Sequence, residues 1–144
     1  MQRNSVSAKH RADAIFYYSQ IRLAIYGLRH AVELHDANPK NEPQPARYRG
    51  VAFAASCRWF EVIGEILKQL EAAWPSETER MAKYPEVNWK SWKRLRDVLA
   101  HNIWGLRPEL LGRAYELGVP VLLDAINAII TELEAEAQES SGPA

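Results

Sequence analysis

From Ser7 to His35 apolar side chains recur every three or four positions, at Ala14, Tyr17 or Tyr18, Ile21, Ala24 or Ile25, Leu28 and Val32. That interval matches the turn of an α-helix and predicts one long amphipathic helix, with Arg11, Asp13, Gln20, Arg22 and Arg29 on its wet side. The stretch 37–46 then carries Pro39, Pro43 and Pro45 with almost nothing apolar, which predicts a loop. A second helix is predicted from Arg47 to Ala73 along Val51, Ala54 or Ala55, Arg58, Val62, Ile66 and Leu70, ended by Trp74-Pro75. Ser76 and Glu79 have the spacing of a capping box, so a short third helix is expected over Glu77 to Lys83, before Pro85.

A fourth helix opens at Asn88, whose amide can cap it, and turns Trp89, Trp92, Leu95 and Leu99 inward; Gly105 and Pro108 mark its end. Pro108 suits the first turn of a fifth helix through Leu110, Leu111, Ala114 and Leu117. Gly118-Val119-Pro120 should kink or restart it, after which Leu122, Leu123, Ile126, Ile129, Ile130 and Leu133 resume the helical interval. From about 138 onward the chain reads as a polar tail. No strand-like alternation occurs, so the expected fold is all-α: a single domain over 1–144, an up-and-down four-helix bundle with one short extra helix.

With 144 residues the chain suffices for one hydrophobic core. Lys plus Arg and Asp plus Glu both number 18, so there is no global pull toward nucleic acid and any phosphate contact must be local. Locally the charge is uneven: Lys90, Lys93, Arg94, Arg96, Arg107 and Arg113 gather in one region, and Glu132, Glu134, Glu136 and Glu139 in another. The single cysteine, Cys57, allows no internal disulfide and sits among Phe53, Ala54, Ala55 and Trp59, as a buried small hydrophobe would. No uninterrupted apolar run reaches the roughly 18 residues of a membrane span, and the amino end lacks a signal-peptide core. The expectation is a cytoplasmic protein without membrane contact.

The segment Leu95-Arg96-Asp97-Val98-Leu99-Ala100-His101-Asn102 carries the candidate chemistry. An imidazole can move a proton near neutral pH, and a guanidinium can grip phosphate oxygens in two places, so the pair can cleave a phosphodiester with no metal or other cofactor. On a helix, however, five residues rotate a side chain by about 140° and advance it about 7.5 Å. The two groups therefore do not share a face by spacing alone. Convergence needs the helix to end at the histidine or a second copy of the chain to supply the missing groups. His30 and His35 lack the i, i+4 spacing of a helical zinc pair, and His10 lies in a polar stretch expected to fray.

Taken together, Arg58-Trp59-Phe60-Glu61-Val62-Ile63-Gly64-Glu65, then Tyr84-Pro85-Glu86-Val87-Asn88-Trp89, then Arg96 through Gly105, resemble the HepT-like branch of the HEPN family in order and spacing, across about Val51 to Ile130. The resemblance implies a ribonuclease toxin acting as a homodimer, with Arg96 and His101 of both copies meeting in a cleft between subunits. It implies RNA as substrate and a nucleotidyltransferase antitoxin as partner. Family antitoxins commonly adenylylate a tyrosine two positions after the histidine; here that position is Ile103. That departure leaves open an antitoxin acting by another route or a protein of reduced activity.

The expected reaction is attack of the ribose 2′-hydroxyl on the adjacent phosphate, with His101 as general base or acid and Arg96 neutralising charge on the non-bridging oxygens. Asp97 either orients Arg96 or faces water. Asn102 contacts phosphate or caps the helix, and Trp104 is the tryptophan best placed to stack on a base. Glu65 pairs with a cleft arginine or is solvated, and Gly64 suggests close helix approach. Two other readings stand beside the enzyme: a non-catalytic HEPN module that binds a nucleotidyltransferase or its nucleotide substrate, and a plain structural bundle.

Overall fold

A computed structural model describes residues 6–36, 46–101 and 108–140. The expected loop at 37–46 falls almost wholly outside them. The order is α1 (Ala8–Asp36), α2 (Ala46–Ala73), α3 (Glu77–Ala82), α4 (Trp89–His101), α5 (Pro108–Arg113), a π-helical turn (Ala114–Gly118) and α6 (Val119–Ser140). The described chain is all-α, as the periodicity predicts. Helix α1 lies against both α2 and α6, and α2 against α4. The pairing Arg22 to Asn127 and Arg11 to Glu136 makes α1 and α6 antiparallel.

The core forms where the apolar stripes meet: Tyr18, Ile21, Ile25 and Leu28 from α1, Phe60, Ile63 and Leu67 from α2, and Leu122, Ile126, Ile129 and Leu133 from α6 are all enclosed. The stripe expected for α2 is displaced around the helix. Its buried line runs through Cys57, Phe60, Ile63, Leu67 and Leu70, whereas Arg58 and Ala54 face solvent and Val62 and Ile66 are only half-buried. Two helical-interval lines run side by side on this helix, and the nearest approaches choose between them. Gly27 of α1 takes the Trp59 indole flat against its backbone, and Gly64 of α2 meets α4.

Helix α3 starts without the expected capping box. Ser76 adopts right-handed helical angles and makes no side-chain cap. The reason is local: Glu77, Thr78 and Glu79 donate their N–H groups to the carbonyls of Trp74, Pro75 and Ser76, so the turn satisfies the first donors of the helix. Asn88 does cap α4, accepting from Ser91 N–H at 3.1 Å. The break expected at Gly118-Val119-Pro120 is a π turn, with Val119 N–H donating to Ala114 C=O. Pro120 has no N–H for an ordinary helical bond and its ring crowds the preceding turn, which accounts for the widening. Helix α6 runs on through Gln138 and Glu139 to Ser140, past the expected start of the polar tail.

His10 is not frayed. It is 6% exposed, stacks on Trp74 with centroids 4.2 Å apart, and places Nε2 2.8 Å from Glu77 Oε2. Glu77, itself 1% exposed, accepts from Tyr18 Oη at 2.9 Å and from Arg80 Nε at 2.9 Å. Arg80 continues to Glu132 and Glu136, and Arg11 donates to the Glu136 carbonyl at 2.9 Å. Burial, then the Glu77 charge, pushes the Tyr18 hydroxyl far above its usual range. This network clamps the start of α1, α3 and the end of α6. The run Leu111–Glu139 is long and apolar enough to pass for a membrane span by composition, and much of its apolar content faces the bundle core.

Candidate functional site

Helices α2 and α4 come closest at Gly64. A Cβ there would lie 2.5 Å from Arg96 Cβ and 2.6 Å from the Trp92 carbonyl, so only glycine permits this approach. Because α4 is drawn this near, the Arg96 side chain lies along α2 between two carboxylates. Nε is 2.6 Å from Glu65 Oε2 without pointing squarely at it, and Nη1 donates to Asp97 Oδ1 at 3.1 Å. Lys68 of α2 donates to the same Asp97 oxygen at 2.6 Å, and Gln69 steadies Glu65 from the other side at 3.3 Å.

The hydrogen bond from Lys68, then that from Arg96, holds the Asp97 carboxyl below the usual carboxylate range. In turn the bond to Asp97 and the Glu65 charge raise the Arg96 guanidinium above its ordinary value. Both groups are open to water, so these pairs fix positions more than they stabilise the fold. Asp97 both bonds Arg96 and keeps a 44% exposed side chain, and Glu65 pairs with Arg96.

His101 stands exposed at the end of the described span of α4. Helical spacing sets it on one face with Lys90, Arg94 and Asp97, and Arg96 about 140° away. The Arg96 side chain bends toward that face, since Nη1 donates to Asp97, which precedes His101 by one turn. Among the described residues nothing bonds Arg96 to His101 directly. Asn102, Ile103, Trp104 and Arg107 lie outside the described residues.

Lys68 is the member of this group that reading the sequence missed. Its position three residues after Glu65, hence on the same side of α2, was the available signal. Other tryptophans are structural: Trp92 stacks on Phe60, and Trp89 Nε1 donates to the carbonyls of Met81 and Tyr84, tying α4 to α3. Lys93 is engaged by Glu71 at 2.7 Å. Cys57 is buried, and burial pushes its thiol up. A cavity of about 330 Å³ opens between Ser91, Trp92, Leu95 and the π turn, at the other end of α4 from His101.

The described chain is all-helical, and α4 carries both Arg96 and His101. The match to the family model "Ribonuclease HepT-like" spans residues 46–129, more than half of the chain, and this protein belongs to that family. It is also 36% identical over 86 residues, 60% of its length, to a Methanocaldococcus jannaschii protein named "Putative RNase MJ0127". The aligned part covers 66% of that relative, just under two thirds of its length. No solved structure gives a significant match.

Proposed function

We propose that the protein is a metal-independent endoribonuclease whose site is built from Arg96 and His101 of two copies of the chain. Membership of the ribonuclease HepT-like family supports the reaction class. The observation that carries the residue assignment is the Arg96–Asp97 bond, which brings the guanidinium to the helix face that bears His101. In the reaction the ribose 2′-oxygen attacks phosphorus and the P–O5′ bond breaks. The products are a 2′,3′-cyclic phosphate and a free 5′-hydroxyl. One imidazole takes the 2′-proton and the other protonates the departing 5′-oxygen. Arg96 holds the non-bridging oxygens through its guanidinium, while Glu65 and Asp97 beside it keep the side chain in place.

In this reading the protein is the toxin of a pair whose antitoxin is a nucleotidyltransferase. Ile103 carries no hydroxyl to adenylylate, so silencing acts elsewhere on the chain or through binding alone. The same residue favours a second reading, a non-catalytic module that binds the nucleotidyltransferase or its nucleotide. Incubation with total RNA separates the two. Cleavage by the parent in EDTA, lost in His101→Ala and Arg96→Ala with helical content intact, is the expected result. Undiminished cleavage by His101→Ala removes the assignment.

A further inference from the structure

We infer that Lys68 is a second phosphate-binding cation of this site, held beside Arg96 by the shared Asp97 carboxylate. The inference rests on the ribonuclease reading and adds a residue from a different helix to it.

The charge balance is the first argument. Arg96 is flanked by Glu65 and Asp97, so these three groups alone carry a net negative charge that would repel a phosphodiester. Lys68 brings the sum to zero. Without it, an arginine offered to an anionic backbone would sit in an acidic surround. Position is the second argument. Asp97 Oδ1 accepts from Lys68 Nζ at 2.6 Å and from Arg96 Nη1 at 3.1 Å, so one oxygen gathers two like charges from two helices. Asp97 lies one turn before His101 on the same face of α4, which places Lys68 toward the imidazole side of the cluster.

Donor capacity is the third. An ammonium has three N–H groups; one is directed at Asp97, and the Lys68 side chain is 39% exposed, so the others remain open to an incoming ligand. The Lys93–Glu71 pair on the same two helices shows the contrast: it joins one cation to one carboxylate, at 25% and 20% exposure, and closes on itself. A purely structural tie between α2 and α4 would have that one-to-one form.

The test measures binding of a fluorescent single-stranded 20-mer RNA by anisotropy across a salt series. The full chain carries His101→Ala so that the RNA stays intact. A lost phosphate contact on a single strand makes the slope of log affinity against log salt shallower by about 0.7. Lys68→Gln is expected to weaken binding and flatten the slope by that amount, and Lys68→Arg to restore it. Lys83→Gln makes the same charge change on Lys83, which pairs with Glu132 away from the site, and leaves the slope unchanged. With His101 intact, Lys68→Gln lowers kcat/KM on the order of 10²-fold. Equal slopes for Lys68→Gln and Lys83→Gln on the His101→Ala background, with RNA bound there and cleaved by the unsubstituted chain, overturn the role of Lys68 alone. A parent that neither binds nor cleaves overturns the ribonuclease reading and this inference with it.

Discussion

Asp97 is where the chemistry of three side chains meets, and its ionisation reports on all of them. Its carboxyl is held below the ordinary value of 3.8, chiefly by Lys68 and then by Arg96. A depressed carboxyl contributes its pairing at all pH above its free value and loses it as pH falls through the lowered folded value. The cluster is therefore intact around neutrality and dissolves only in strong acid. Carboxyl NMR should give an Asp97 midpoint below 3.8, moving back up in Lys68→Gln. Gly64 makes a separate prediction: Gly64→Ala forces a Cβ into Arg96 and the Trp92 backbone, costing about 1–3 kcal/mol in denaturant unfolding and displacing the guanidinium. A close approach at Gly64 was legible, because glycine inside an apolar helical stretch is costly without a packing reason. The Lys68 contact was legible only in part: its spacing from Glu65 puts it on the same side of α2, but its meeting with Asp97 depends on how far α4 slides along α2.

Helix existence and type were legible in the spacing of apolar residues, and the ends of α1 and α2 and the start of α4 fall within a residue or so of expectation, while the expected end of α4 near Gly105 lies outside the described residues. What failed was the choice of face on α2 and the fate of the polar residues. Both depend on neighbours. A stripe beginning at Val51 and one beginning at Cys57 fit the helical interval equally well, and only Trp59 on Gly27 and Gly64 on α4 decide. His10 looked solvated because its partner, Glu77, is 67 residues away. That buried cluster predicts a clear effect: Glu77→Ala unpartners Tyr18 and His10 and takes the Nε partner from Arg80, which keeps Glu132 and Glu136, costing about 1–3 kcal/mol in chemical denaturation. The same change should leave RNA cleavage by the remaining folded fraction intact, since the cluster lies at the opposite end of α4 from His101.

As a whole molecule the chain carries no net charge, so the proposed binding of RNA rests on individual cations such as Arg96 and Lys68 and not on a broad field. Single-subunit geometry leaves His101 exposed and unpaired with Arg96, and a second copy is what the proposed reaction requires to complete the site. Light scattering should accordingly give twice the 16.4 kDa of one chain, and monomeric variants should lose cleavage while remaining helical. A fully active monomer would refute the two-copy site.

The bond from Arg11 to the Glu136 carbonyl brings the beginning of α1 and the end of α6 to one corner of the bundle. Circular permutation follows from that corner: a short Gly/Ser bridge could join the two helices there without crossing the fold. Anything fused at either point, a fluorescent reporter or an affinity handle, would emerge from the corner remote from His101 and leave the approach to the imidazole clear.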